Sequence, residues 1–444
     1  MGKEKPINAE VPSKGTPAPP PSPTKSTPAK PPKPPKPPGK GLPLPLKLVG
    51  GAVALAAIFI VAAIVGGGGQ KPDVEGAAPP VGGVARDEPE PAADDVEVDE
   101  LGYPAFATKN TTRIGGADPA SNAAAAALAV FPASTAADRP AAVTFVDADD
   151  WAGGLAAAVL MAEPIGAPIL VSDGDRLPNV SSEALARLDP QGSRATKRAQ
   201  VFSIGEAAAP ASARTQRVEA QGAAAVAAAV AALRERLLGR PPRHLVVAPL
   251  ERPAFAMPAA AWAARSGDPV LFAGRDRLPA ETAAALRKNP KVPVYVLGPS
   301  DAISSDVLRK IVAIAPTVRR VAGEDPVQNA IALARFSDGD FGWNVNDPGH
   351  GFVVARDDEP LDAAAAAPLS ASGTWGPLLL SDDAGTLPAA LRDYLLDVKP
   401  GYTDDPTRAF YNHVWVIGDQ EAIEVGQQAE IDSLAELARI GGEE

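Results

Sequence analysis

The chain has 444 residues, including 49 prolines and 40 glycines, so its length suits about three domains. With no cysteine it has no route to a disulfide framework, a thiolate metal site or a cysteine nucleophile, and three scattered histidines (His244, His350, His413) argue against a histidine metal centre. A net charge of −12 excludes the basic footprint of a nucleic-acid binder, but residues 1–47 carry nine Lys against two Glu while the remainder holds 33 basic against 52 acidic residues.

Residues 1–47 contain sixteen prolines, in runs such as Pro31-Pro32-Lys33-Pro34-Pro35. With fixed φ angles, missing donors and almost nothing apolar to bury before Leu42, this segment predicts a disordered, partly polyproline-II tail. Residues 48–69 then run 22 positions without a charge. As a helix they would reach about 33 Å, enough for a hydrocarbon core of roughly 30 Å, so they are expected to form one transmembrane helix. A cleaved signal peptide fits less well, because the preceding region is too long and no clean cleavage site follows. Lysines before this signal-anchor and ten acidic residues within 72–100 put the N-terminus in the cytoplasm and the rest outside, as a single-pass plasma-membrane protein. Residues 70–110 read as an acidic, Pro/Gly-rich linker.

From residue 111 the chain repeats three times, over 111–215, 216–318 and 319–444. Thr112-Arg113-Ile-Gly-Gly-Ala-Asp118 is echoed by Gln216-Arg217-Val-Glu-Ala-Gln-Gly222 and Arg319-Arg320-Val-Ala-Gly-Glu-Asp325. Each opening leads to an alanine-rich helical run, then an apolar strand: Ala142–Val146, His244–Ala248 and Gly351–Ala355. A second small-residue helix and a second strand follow, at Ala167–Asp173, Asp268–Gly274 and Gly376–Asp382. A Leu-Pro pair opens a third helix, and each copy closes on a strand ending in Gly205, Gly298 or Gly418. Short continuous apolar strands alternating with helices predict an α/β fold, three tandem parallel-sheet units of Rossmann/Toprim-like type.

With these motifs in order, the region 111–440 resembles the cell wall-binding type 2 repeat family. The best local matches are Arg113-Ile-Gly-Gly-Ala-Asp118, Gly166-Ala-Pro-Ile-Leu170, and Val294-Tyr-Val-Leu-Gly298 running into Asp301-Ala-Ile-Ser304. The resemblance implies three lobes in pseudo-threefold arrangement and noncovalent attachment to anionic secondary polymers of the bacterial cell wall. The Asp of the family's Asp-Ala pair remains only as Asp362, and the second glycine of its Gly-Gly is Glu206, Pro299 or Asp419.

No Gly-x-Ser-x-Gly, Walker loop, His-Glu-x-x-His or dinucleotide-binding glycine pattern occurs, so a non-enzyme without cofactor or resident metal is expected. Arg113, Arg217 and Arg320 recur at the repeat starts and present forks suited to phosphate or carboxylate. Arg176 and Arg277, just before Leu-Pro helix starts, could join them as polymer-binding residues. The competing reading makes the recurring arginines internal salt bridges that pin one repeat to the next. Asp147, Asp149, Asp150, Asp173 and Asp175 follow strands and could hold a hard cation, but Asp is a favoured helix N-cap and loop residue, and the second copy has Pro249, Leu250 and Gly274 at the matching places, which favours that reading. Arg234, Arg236, Arg240 and Arg243 read as a solvated helix end. Trp151, Trp262 and Trp375 read as gap fillers, and Trp343 as an exposed aromatic able to stack on a sugar. The expected function is a membrane-anchored, extracytoplasmic envelope protein binding an anionic cell-wall polymer. The alternative is a structural or protein-interaction module of the same fold that has lost polymer recognition.

Overall fold

Three parallel sheets with one strand order make up the body of the protein, and each borrows a strand from the next repeat. The computed structural model describes residues 106–440. The basic tail, the predicted span 48–69 and most of the acidic linker lie outside the described residues. Among those described, no helix is long and apolar enough to cross a membrane.

The chain opens with β1 (Phe106–Ala107) and β2 (Thr111–Ile114), then α1 (Pro119–Val130). The first lobe follows as β3 (Val143–Asp147), α2 (Trp151–Ala157), β4 (Ile169–Ser172), α3 (Asn179–Leu188) and β5 (Val201–Ile204). The second repeat runs through β6 (Thr215–Val218), α4 (Ala223–Leu238), β7 (Leu245–Pro249), α5 (Pro253–Ala256), α6 (Pro258–Ser266), β8 (Val270–Ala273), α7 (Ala280–Lys288), β9 (Val294–Leu297) and α8 (Ser305–Val312). The third has β10 (Val318–Val321), α9 (Pro326–Arg335), β11 (Gly351–Arg356), α10 (Pro360–Ala365), α11 (Ala367–Ala371), β12 (Leu378–Ser381), α12 (Ala389–Asp397), β13 (Gly401–Tyr402), β14 (His413–Ile417), α13 (Val425–Ala435) and β15 (Ala438–Arg439).

The sheets read β4-β3-β5-β6, β8-β7-β9-β10 and β12-β11-β14-β2, with β1 added antiparallel beyond β2. Thus β6 closes the first lobe, β10 the second, and β2, from the start of repeat 1, closes the third. The sequence repeat and the spatial lobe are therefore offset by one strand. In the third lobe Thr111 pairs with Val414 and Ile114 with Ile417, joining positions more than 300 residues apart. Every residue of β4, β5, β8, β9 and β12 is buried, as expected of strands covered on both faces. The borrowed edge strands β6 and β10 bury only their last residue.

Helix packing runs in the same cycle. α1 covers β4 and meets α10; α4 covers β8 and meets α2; α9 covers β12 and meets α5. At the centre α2, α6 and α10 contact one another in all three pairs. Most of their buried residues are Ala or Gly, beside Leu155, Trp262 and Leu361, so a chain rich in alanine needs few aromatics for this part of its core. A Cβ on Gly154 would stand 2.6 Å from Leu361 Cδ1 and 3.2 Å from Ala364 Cβ, so this crossing depends on a missing side chain.

Candidate functional site

The recurring arginines occupy equivalent places, one per lobe. Arg113 on β2 is 2% exposed. Its Nε donates to Gln428 Oε1 at 3.0 Å, Nη1 to Gly418 O at 3.0 Å and to Asp419 O, and Nη2 to Ile423 O at 2.5 Å. Arg320 on β10 repeats the pattern on Gly298 O at 2.6 Å, Pro299 O at 2.9 Å and Ile303 O at 2.7 Å. Arg217 on β6 is exposed and held more loosely, by Ser203 Oγ at 3.2 Å and Ala207 O at 3.5 Å. Each guanidinium grips the turn after its lobe's last strand. Each arginine does reach the preceding repeat in the cycle, but its acceptors are backbone carbonyls, the Gln428 amide oxygen and the Ser203 hydroxyl rather than the carboxylates a salt bridge requires. Burial pulls the Arg113 pKa down to about 10, partly offset by Asp419, and leaves it cationic at neutral pH.

Sequence motifs that looked separate are thereby joined. The strand-ending glycines Gly298 and Gly418 take φ of +90° and +94°, turning their carbonyls toward the arginine. Ile303 and Ile423 then bury their side chains and return a further carbonyl. The first lobe has Glu206-Ala-Ala-Ala-Pro210 here and no helix between β5 and β6, which matches the looser hold on Arg217.

Arg176 and Arg277 point the other way. They hold one loop position in lobes 1 and 2, each giving its carbonyl to the amide just past a strand, of Asp173 at 3.0 Å and Gly274 at 2.9 Å. Both are exposed; Arg176 pairs with Asp173 at 2.7 Å. The structure therefore distributes the five predicted arginines over three lobes and does not gather them into one anion site.

The strand-end crevice of lobe 1 is acidic. A cavity of about 750 Å³ there is lined by Asp147, Asp149, Asp150, Asp175 and Glu206 together with the start of α4. Asp150 accepts from Gly153 N at 2.8 Å and caps α2; Asp147 accepts from Asp149 N at 3.0 Å and Gly174 N at 2.8 Å. Burial raises the Asp150 pKa despite the Gly153 amide, and the Asp147 charge adds to it. Among the described residues no group of three or more acidic or histidine side chains is placed to hold a metal ion. Of the five aspartates, Asp150 caps a helix, Asp147 holds two loop amides and Asp173 pairs with Arg176.

Two expectations need correction. Arg234 is not part of a solvated helix end but is 5% exposed, donating to Gly267 O in lobe 2 and to Val159 O, Ala162 O and Glu163 O in lobe 1 at 2.9–3.2 Å. Its spacing was the available signal: Val226, Val230, Leu233 and Arg234 share one helical face. The tryptophans exchange roles as well. Trp343 is 8% exposed and packs edge-on to Trp262 at 5.5 Å, whereas Trp375 is 38% exposed. The two stack at 6.2 Å, and the Arg265 guanidinium lies 3.9 Å over Trp375.

These aromatics border a second cavity, of about 340 Å³, where lobes 2 and 3 meet. His244 sits between two carboxylates in its wall, with Nδ1 3.0 Å from Asp268 Oδ2 and Nε2 3.1 Å from Asp340 Oδ1. Asp268 also accepts from Trp262 Nε1 at 3.0 Å, and Asp340 pairs with Arg243. His244 precedes β7 and Trp375 precedes β12, so this cavity opens at the amino ends of the strands. Sequence reasoning, guided to the carboxyl ends, missed it.

No protein-family model matches the chain, and no curated sequence relative does. Its fold is similar to that of Cwp6 from Clostridium difficile, with a TM-score of 0.57 and 19% identity over 74% of this chain and 48% of that one. It is similar also to Cwp8 from Clostridium difficile, with a TM-score of 0.55 and 20% identity over 74% of this chain and 52% of that one. The chain spans about half the length of each.

Proposed function

We propose that this is a non-catalytic cell-envelope protein whose three lobes bind an anionic cell-wall polymer outside the membrane, with residues 48–69 as its anchor. The observation that carries the reading is the triplicated α/β fold, shared over 74% of the chain with two cell wall proteins of Clostridium difficile. The order of motifs along repeats 111–215, 216–318 and 319–444 supports it independently. Binding rests on local sites that overcome a negative surface, since the body beyond residue 47 carries a net charge of −19.

A second reading, a structural module without polymer recognition, is favoured by the inward use of Arg113 and Arg320 and by the acidic crevice of lobe 1. Co-sedimentation separates the two. The detergent-solubilised full chain should be retained by isolated bacterial cell walls and released once acid extraction strips their secondary polymers. Equal retention on stripped walls, or none on intact ones, would favour the structural reading.

A further inference from the structure

We infer that the cavity between lobes 2 and 3 is a saccharide subsite for an acidic hexose, bound at the cavity mouth beside Trp375 and the Arg265 guanidinium that lies over its ring. The inference rests on the polymer-binding reading and narrows it to one place and one ligand class. The cavity volume, about 340 Å³, falls within the ~300–1,000 Å³ range of small-molecule sites.

Several observations converge there. Trp375 is the most exposed tryptophan of a three-ring series running inward through Trp343 to Trp262. With Arg265 and Trp343 lying against its ring, the exposed part of the Trp375 indole offers a rigid apolar edge at the cavity mouth to the C–H groups of a pyranose. Arg265 lies against that ring and forms no ion pair among the described residues. It donates only through Nη1, to Ala371 O at 3.3 Å, so Nε and Nη2 remain for a carboxylate or phosphate. In a body with so many acidic groups, an unneutralised guanidinium on a ring marks a place where an anion is stabilised.

The opposite wall supplies fixed acceptors. Asp340 is held by His244 and Arg243 with its side chain half exposed, and His244 is oriented by buried Asp268. A carboxylate so held can accept from sugar hydroxyls without reorganising. Trp343 Nε1 is a buried donor with no acceptor among the described residues. Trp343 and Asp340 both come from the segment 337–349, which the first two repeats lack, so the subsite exists once per molecule.

Tryptophan fluorescence of the detergent-solubilised full chain tests this. The probes are a galacturonate tetrasaccharide and mannose 6-phosphate, with neutral maltotetraose and inorganic phosphate as controls. A saturable change is expected with one or both acidic sugars, about tenfold weaker or absent with the controls. Trp375→Ala and Arg265→Gln should each weaken it about tenfold, and Trp375→Phe should recover most of it. Melting curves establish that the variants fold. No saturable response to either acidic sugar, or an unchanged response in folded Trp375→Ala and Arg265→Gln, overturns the subsite. Wall retention that persists in both variants leaves the polymer reading standing and removes the subsite; sugar binding lost with Trp375 in a chain that ignores walls does the reverse.

Discussion

Arg113 sets the residue scale, because a single side chain there satisfies four acceptors drawn from three segments of the third lobe. Truncation would leave those buried oxygens without donors, and each such loss is worth about 1–3 kcal/mol. The three clamps differ in burial and bonding, so their removal should be graded. Arg113→Ala should destabilise by about 3 kcal/mol or more, Arg320→Ala by about 2, and Arg217→Ala by under about 1. Urea unfolding of the three single variants measures the order directly. Equal losses would show that the carbonyl contacts are not what stabilises the turn. The periodicity of these arginines was legible in the sequence, but their inward orientation was not. An arginine facing a carbonyl and one facing solvent occupy strands of identical pattern, and the acceptors belong to a turn about 300 residues away in the case of Arg113.

At the scale of elements, the alanine runs matter most where helices cross. α2, α6 and α10 approach closely because methyl groups and bare Cα atoms meet at their faces, with Gly154 against Leu361 and Ala364 at the tightest point. Gly154→Val would drive two methyl groups into that contact and should cost about 1–3 kcal/mol, visible as a lowered melting temperature. Gly426, on an exposed helix start with open space around it, is the control: Gly426→Ala should leave stability unchanged or slightly raised. The first lobe differs in length at this point: ten residues separate β5 from β6 against twenty between β9 and β10, so no counterpart of α8, started by Ser304 accepting from Val307 N, forms there.

Over the described body, the exchange of one strand per lobe and the helix contacts at every junction make the three lobes interdependent. The contact between α1 and α10 carries a buried carboxylate. Asp362 on α10 is buried against α1, accepting from Asn122 Nδ2 at 2.9 Å. Burial pushes its pKa up to about 7; Asn122 opposes the shift, while Glu359, Asp118 and Asp358 add to it. Because the folded state holds this proton more tightly than the unfolded chain, the contribution of Asp362 is fullest below the ordinary value of 3.8. It is lost as pH rises toward about 7, by at most ~1.4 kcal/mol per pH unit, and is flat beyond. Asp362→Asn should remove that slope, so the variant should melt higher than the parent at pH 8 and not at pH 4. Parallel melting curves of the two across this range would show Asp362 ionised in the fold.

The sequence by itself determined the class and the count: apolar strands of four or five residues, Leu-Pro helix starts and strand-ending glycines recur in one order three times, and such local patterns need no partner to be read. It also carried the alanine-rich helices that the central crossing requires. Tertiary structure alone decided which strand closes which sheet, since β2, β6 and β10 look alike and only the neighbouring edge they meet distinguishes them. It decided too that Arg234 is buried and Trp375 exposed. Both outcomes depend on what a second lobe places over the side chain, and nothing within one repeat encodes its neighbour's surface. The cavity between lobes 2 and 3 is of the same kind, built from four segments between residues 243 and 375 that meet only after the lobes have docked.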